Sequence, residues 1–184
     1  GSVLNCVAVV ENKSWSHESW HEPGDLDELL KEFSEWHSDA LEIIQSIANN
    51  DLFKWGLFTR NRLKTWSRGR MVLLGDACHA PLPFMAQGAA MAIEDAACLS
   101  LCLRGDTDYL DSFNDFEKLR KRRTEKVLKM SARNGRVFHL SGMPAKLRDV
   151  VLKFYKPRLN NFLYGYNVFS AMDGFASTKV RNNE

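Results

Sequence analysis

The stretch RMVLLGDACHAPLPFMAQGAAMAIEDAA, residues 70–97, decides the fold of this chain. Its short apolar run at residues 71–74 is bounded by Gly69 and Gly75, which predicts a buried strand rather than a helix. Two prolines then keep the next segment extended, because proline restricts its own backbone and that of its predecessor. Small residues from Gly88 onwards open a helix. We therefore predict a strand, a carboxylate, a rigid loop and a helix N-terminus, in that order.

This order has a chemical meaning. The carboxylate of Asp76 at a strand end can accept hydrogen bonds from ligand hydroxyls. The free N–H groups at the start of the following helix stabilise negative charge nearby. A polyol that carries an anionic group fits both features. The alternative is that Asp76 only caps a turn, which is the commoner use of a Gly-Asp pair.

The same segment resembles the second flavin-binding motif of the class A FAD-dependent aromatic hydroxylases. Residues 82–96 are most similar to the branch that contains salicylate hydroxylase and 6-hydroxynicotinate 3-monooxygenase. Ala86 is a departure, since many flavin hydroxylases have glycine there and the salicylate-like branch has alanine. The positions that carry the resemblance are Gly75-Asp76-Ala77-Cys78-His79, Pro83, Gln87-Gly88 and Glu94-Asp95-Ala96.

The resemblance implies a role for individual residues toward FAD. Asp76 would accept a hydrogen bond from the ribityl chain, and the N–H groups of Gly88 and Ala89 would face the pyrimidine edge of the flavin. The backbone carbonyl of Pro83 would lie beside the reacting flavin edge, which makes Pro83 the one catalytic candidate. The implied cofactor-binding residues are Gly75, Asp76, Pro83, Gln87, Gly88, Ala89 and Ala90.

The resemblance also implies a reaction. NADH or NADPH would reduce FAD, dioxygen would form a flavin C4a-hydroperoxide, and this species would hydroxylate a salicylate-like or hydroxypyridine acid. The apolar residues 81–85 would form a wall that shields the flavin from water. The expected partners are therefore a small aromatic acid and dioxygen.

The glycines nowhere form the G-x-G-x-x-G fingerprint that seats a dinucleotide pyrophosphate. We therefore predict a mixed α/β chain, an α+β fragment, that forms the C-terminal part of a p-hydroxybenzoate hydroxylase-like FAD-binding fold without its N-terminal βαβ unit. Residues 1–66 would end the substrate domain, and residues 67–184 would belong to the FAD-binding domain. An unpaired edge at residues 71–74 would favour a homo-oligomer or pairing with the missing half. The alternative is a noncatalytic module that associates with that half, with a second copy or with another protein.

Before the motif, the β-branched residues 3–10 predict a core strand, and residues 15–20 a second one that pairs with it as a hairpin. Asp25, with Glu28 three residues later, predicts a capped helix, and a second helix follows. Residues 53–59 predict a strand paired with residues 62–66 through a turn at Arg60-Asn61.

After the motif, Gly105 predicts the end of the motif helix, and Thr107 or Asp108 predicts the cap of a long helix. Gly142 to Pro144 would stop that helix and start another, which Lys156-Pro157 would close. The long helix is basic from Lys118 to Arg136. Aromatic residues interleave poorly with its cations, so we expect a solvated face and no nucleic acid.

Composition sets further bounds. The 184 residues are 45% hydrophobic, which allows a sizeable core, and the net charge of +2 does not by itself imply an anionic partner. No apolar run is long enough to span a bilayer, and four cysteines without a preceding signal peptide favour a reducing cytoplasm.

Two clusters could be misread as catalytic. Cys78 beside His79 lacks the spacing of a metal or nucleophile motif, so we expect no metal and a structural His79. Glu94 and Asp95 are neighbours on a helix and point in different directions, which favours a solvated or salt-bridged role over paired acid catalysis.

Overall fold

A computed structural model describes residues 3–11, 19, 21–48, 51–59, 61–104, 108–154 and 159–181. The chain divides into two compact units, Gly1–Phe58 and Thr59–Glu184. The described part is mostly helical with four two-residue strands, so its strand content is smaller than the mixed α/β prediction. Each unit is described by itself below.

In the first unit, strand β1 (Glu22–Pro23) leads into helices α1 (Leu26–Glu32) and α2 (Ser38–Gln45), and strand β2 (Phe53–Lys54) follows them. The capping prediction is confirmed, because Asp25 Oδ1 accepts a hydrogen bond of 2.8 Å from the N–H of Glu28. Strands β1 and β2 pair antiparallel.

The predicted core strand at residues 3–10 is wrong. These residues have no regular secondary structure, and Val3 is 88% exposed. A strand is stable only when a neighbour satisfies its backbone groups, and no residue in the described ranges pairs with this segment. Its predicted hairpin partner at residues 15–20 lies mostly outside the described residues.

The predicted pairing of residues 53–59 with residues 62–66 is also wrong, since β2 pairs with β1 instead. Residues 62–66 are not a strand, and Arg60 of the predicted turn lies outside the described residues. The next hairpin joins strand β3 (Ser67–Arg68) to strand β4 (Met71–Val72). Gly69 closes it with a φ of +56°, a value that glycine adopts at little cost.

The motif strand is correctly placed but is not buried. Only Met71–Val72 forms a strand, Met71 is 70% exposed, and the side chains of Leu73 and Leu74 are exposed too. The physical reason is that β4 has the single short neighbour β3, whereas a strand is buried only when sheet or helix covers both of its faces.

The rest of the second unit is helical. Helix α3 (Asp76–His79) and a 3-10 turn (Pro83–Met85) precede helices α4 (Gly88–Cys102) and α5 (Tyr109–Phe138). Helices α6 (Gly142–Phe154), α7 (Leu159–Tyr164) and α8 (Val168–Arg181) follow.

Two of the predicted helix signals near α5 and α6 are confirmed. Asp108 caps α5 by accepting a hydrogen bond of 3.2 Å from the N–H of Leu110, and Pro144 lies in the first turn of α6. Gly105, Thr107 and Lys156-Pro157 lie outside the described residues.

The core of the second unit lies where α4 and α8 pack together and where α5 packs against α4 and the 3-10 turn. Phe116 of α5 is fully buried there. It shares one apolar cluster with Trp66, Cys78, Cys98, Cys102 and Val168. Cys78 of α3 therefore packs into the same core as the second half of α4.

Candidate cofactor site

The first half of the site is the turn after β4. Gly75 has a φ of +60° and a ψ of −142°, a combination that is essentially restricted to glycine. A Cβ atom at this position would also lie 3.2 Å from the Cβ of Ala92 on α4. Gly75 therefore permits both the turn and the close approach of α4. Asp76 follows as the first residue of α3, and its side chain is exposed.

The second half is the N-terminus of α4. Gln87 occupies the N-cap position and is buried, and its side chain makes no capping hydrogen bond. The first helical bond runs from the N–H of Met91 to the carbonyl of Gln87, at 2.9 Å. The N–H groups of residues 88–90 therefore have no acceptor within the helix, and no acidic residue lies in its first turn. This end of α4 carries partial positive charge.

The two halves meet at Gly88. A Cβ atom on Gly88 would lie 3.8 Å from Asp76 Oδ1 and 3.6 Å from Pro81 Cγ, which is ordinary van der Waals contact. A carboxylate acceptor thus lies beside free N–H donors. This arrangement suits a ligand that has both hydroxyl and anionic groups, as the sequence predicted.

The other predicted site residues lie in the first turn of α4 and in the 3-10 turn before it. Ala89 is exposed and Ala90 is half-buried in the first turn of α4. Pro83 is exposed at the start of the 3-10 turn, which ends at Ala86 with a φ of 50°. Ala86 is the one non-glycine residue with positive φ in the described ranges. Glycine adopts this conformation more readily, which gives a physical reason for the glycine that the resemblance implies at this position.

The sequence did not predict the buried network beneath this site. Asp95 of α4 is fully buried. Its Oδ2 atom accepts hydrogen bonds of 2.8 Å from the N–H of Gly75 and 2.5 Å from Nε2 of His79. Its Oδ1 atom accepts one of 2.7 Å from Nε of Arg120. Because an ionised carboxylate only accepts, Nε2 of His79 carries the hydrogen.

Glu94 extends the network to other helices. Its carboxylate accepts hydrogen bonds of 2.7 Å from Arg120 and of 2.7 and 2.8 Å from Arg123. Arg123 also donates to the backbone carbonyls of Phe162 and Leu163. The solvated or salt-bridged role predicted for the Glu94-Asp95 pair is confirmed as salt-bridged. The pair joins α4 to α5, and Arg123 joins α5 to α7.

The expected solvated face of α5 is therefore wrong for two of its cations, since Arg120 and Arg123 are buried. They satisfy two carboxylates that would otherwise be unpaired in the core. One sequence signal could have indicated buried cations: Glu94 and Asp95 are adjacent acids within a helix of small and apolar residues. Nine basic residues on α5 could have supplied the partners, so the sequence did not single out these two.

The network sets the charge of its members. Burial alone would raise the pKa of Asp95, but the hydrogen bonds from His79, Arg120 and the Gly75 N–H outweigh it and lower that pKa. Burial alone would lower the pKa of Arg120, but its contacts with Asp95 and Glu94 outweigh that effect and raise it. The Asp95–Arg120 pair is therefore ionic across the ordinary pH range.

Cys78, His79 and Asp95 offer ligand atoms within 4.8 Å of one another, a spacing that a metal ion could bridge. Both oxygens of Asp95 already accept hydrogen bonds, and Arg120 places a positive charge 2.7 Å from one of them. The network therefore satisfies this carboxylate without a metal ion.

Comparison with known proteins identifies the class to which this geometry belongs. The sequence model of the family described as FAD binding domain matches residues 17–131, and the chain belongs to this family. FAD is thus the cofactor of the family, as the motif predicted.

The relatives are more specific. The chain is 37% identical over 168 residues to 3-amino-4-hydroxybenzoate 2-monooxygenase PtnB3 of Streptomyces platensis, a match that covers 89% of this chain and 42% of the relative. It is 42% identical over 134 residues to 6-hydroxynicotinate 3-monooxygenase of Pseudomonas fluorescens, covering 71% of this chain and 34% of the relative.

A solved structure supports the same class. The crystal structure of CtdE in complex with FAD and substrate 4 superposes with a TM-score of 0.73 at 26% identity, covering 96% of this chain and 43% of CtdE. The chain spans less than half the length of each of these three proteins. Among the described residues, no helix is both long and apolar enough to cross a membrane.

Proposed function

We propose that this chain is the C-terminal, FAD-binding portion of a flavin-dependent monooxygenase that uses NADH or NADPH and dioxygen to hydroxylate an aromatic acid. The observation that carries the proposal is the Asp76 carboxylate beside the unpaired N–H groups at the start of α4. The relatives' names support the substrate class, because 3-amino-4-hydroxybenzoate and 6-hydroxynicotinate are both hydroxylated aromatic acids.

Each residue of the site has a proposed task. Asp76 accepts a hydrogen bond from a ribityl hydroxyl of FAD, and Gly75 allows the turn that presents it. The N–H groups of Gly88, Ala89 and Ala90 face the flavin edge that carries negative charge, where the helix dipole stabilises it. Gln87, as the N-cap residue, sets the start of this helix.

Bound FAD supplies the redox chemistry, and the protein orients the reactants and shapes their surroundings. The backbone carbonyl of Pro83 lies beside the reacting edge in this proposal. Residues 81–85 restrict the access of water, since they are mostly apolar and Pro81 contacts the Gly88 position. We also propose that residues 67–184 belong to the FAD-binding domain and residues 1–66 to the end of a substrate domain.

A second candidate is a noncatalytic module that associates with a separate N-terminal half or with a second copy. The observation that favours assembly is the exposure of three apolar side chains in and directly after the motif strand, Met71, Leu73 and Leu74. We expect light scattering of the isolated chain to give a mass above that of a monomer. A monomer mass that does not change with concentration would contradict this assembly.

The experiment for the main proposal measures flavin retention. The purified chain is mixed with FAD, desalted and scanned in the visible range, first alone and then with the N-terminal half supplied as a separate polypeptide. We expect retained flavin absorbance that Asp76→Ala abolishes. The matched control is Asp111→Ala, which removes another exposed carboxylate near a helix start and should leave retention unchanged.

Turnover then tests the reaction. The flavin-loaded sample is assayed for NADH and NADPH oxidation with 6-hydroxynicotinate, 3-amino-4-hydroxybenzoate and salicylate, and the products are identified by mass spectrometry. A product with one added oxygen supports the proposal. Equal flavin retention by wild type and Asp76→Ala would overturn the assigned site. Flavin retention without hydroxylation of any tested acid would favour the noncatalytic module.

A further inference from the structure

One carboxylate oxygen fixes both ends of the turn that carries Asp76. Oδ2 of Asp95 accepts the N–H of Gly75 at 2.8 Å and Nε2 of His79 at 2.5 Å. Gly75 immediately precedes α3, and His79 is its last residue. Asp76 therefore lies on a four-residue helix whose two ends are attached to a single buried atom.

Gly75 needs such an anchor. Glycine adopts its φ of +60° and ψ of −142° at little cost, but it adopts many other conformations as readily, so the residue alone does not fix this turn. The residue is buried, and its N–H donates to Asp95, whereas its carbonyl accepts the hydrogen bonds of α3 from Cys78 and His79. Without Asp95 this N–H would be a buried donor that has lost its carboxylate acceptor, so the turn would relax.

Asp95 also lies on the helix that forms the other half of the site. It follows Gly88 by seven residues, about two turns along α4. Its second oxygen is held by Nε of Arg120 at 2.7 Å, so both oxygens of the carboxylate have a set direction. The acceptor half and the donor half of the site are thus joined through one fully buried side chain.

We infer that Asp95 is a positioning residue for flavin binding, which holds the Gly75–Asp76 turn in register with the N-terminus of α4. The inference rests on the proposed function, because the ligand that Asp76 meets is taken to be FAD. Asp95 acts through Gly75 and His79, and its effect on the cofactor passes through the orientation of Asp76.

Glu94 provides a matched control. It is the neighbour of Asp95 on α4, and it also bonds to Arg120, at 2.7 Å. Among the described residues, its hydrogen-bond partners are Arg120 and Arg123, and neither lies on the turn. Asp95→Asn and Glu94→Gln therefore remove the same charge from the same network, and only the first removes an anchor of the turn.

The first measurement needs no flavin. Amide hydrogen exchange of the apo chain is followed residue by residue by NMR in wild type, Asp95→Asn and Glu94→Gln. We expect exchange at Gly75 to be about tenfold faster in Asp95→Asn than in Glu94→Gln, because the N–H loses its ionised acceptor. Equal exchange at Gly75 in the two variants would overturn the inference.

The second measurement is the FAD dissociation constant. It is measured with the chain alone or with the N-terminal half added, whichever sample binds flavin in the wild type. We expect Asp95→Asn to weaken binding about tenfold relative to Glu94→Gln at comparable thermal stability. If Asp95 had only a structural role, FAD binding would weaken in both variants in proportion to their loss of thermal stability. Faster exchange at Gly75 with unchanged flavin affinity would overturn the positioning role.

A second variant covers the case in which Asp95→Asn does not fold. His79→Phe keeps the Asp95–Arg120 ion pair and removes only the second attachment of the turn. We expect faster exchange across residues 76–79, and unchanged exchange there would overturn the inference. If no form of the protein bound flavin, the proposed function would fail, whereas the exchange data would still decide whether Asp95 holds the turn.

Discussion

Helices α5 and α6 follow one another and differ in what they bury. Both place apolar residues at helical spacing and both carry several cations. Phe116 and Arg120 of α5 are 0% exposed, whereas no residue of α6 is buried and its Phe154 is 80% exposed. Amphipathic spacing therefore predicts which side of a helix is apolar, and it does not predict whether anything covers that side.

The difference comes from the partner. Helix α5 packs against α4 and the 3-10 turn, so its apolar residues enter the core and two of its arginines meet the carboxylates of α4. On α6 the half-buried Arg148 pairs with its own exposed neighbour, Asp149, and donates to the last two backbone carbonyls of α5. A charged side chain is buried only where it contacts an opposite charge, because an unpaired buried charge costs several kcal/mol.

The largest expected difference is between two identical substitutions on the two helices. Phe116→Ala should lower the free energy of unfolding by about 3–5 kcal/mol, since it leaves a cavity in the core. Phe154→Ala should change it by less than about 0.5 kcal/mol. Urea unfolding followed by circular dichroism measures both. A comparable loss in the two variants would mean that α6 is covered in solution.

A second pair tests the buried cation. Arg120→Met should lower the free energy of unfolding by about 3–5 kcal/mol, because the fully buried Asp95 carboxylate loses its cationic partner. The control Lys118→Met removes an exposed cation from the same helix and should cost less than about 0.5 kcal/mol. If Arg120→Met were as mild as its control, the network would be solvated rather than buried.

The smallest expected effect is in the pH dependence of stability. The pKa of Asp95 is lowered in the folded chain from its ordinary value of 3.8, so the unfolded chain binds this proton first as the pH falls. The contribution of the Asp95 carboxylate to the free energy of unfolding is complete above pH 3.8, and it is lost as the pH falls through the lower pKa of the folded chain. Urea unfolding at pH 5, 4 and 3 should show that the free energy of unfolding falls more steeply with decreasing pH in wild type than in Asp95→Asn. Equal slopes would show that Asp95 titrates normally.

Local features were predictable because they depend on residues close in sequence. The cap at Asp25, the cap at Asp108 and the turn at Gly75 each follow from the chemistry of a few neighbouring residues. The cofactor motif was predictable for the same reason, since Asp76 and Gly88 lie within one short segment. Family membership followed from that segment.

Pairing between distant segments was not predictable in this way. Strand β2 pairs with β1, about thirty residues earlier, and not with the strand expected next to it. Residues 3–10 have the composition of a strand and lack a partner in the described chain. Strand propensity describes how a residue fits a sheet, and the sheet itself is set by residues elsewhere.

The sequence by itself therefore determined the local conformation of the motif and its resemblance to a flavin site, and the residues that would face the cofactor stay a prediction. Only the tertiary structure decided that Asp95, Arg120 and His79 lie together beneath it. The reason is distance along the chain, because Arg120 lies 25 residues after Asp95 and His79 lies 16 residues before it. The spacing of residues along the chain does not predict such contacts. Each buried charge is stabilised by partners that only folding brings together.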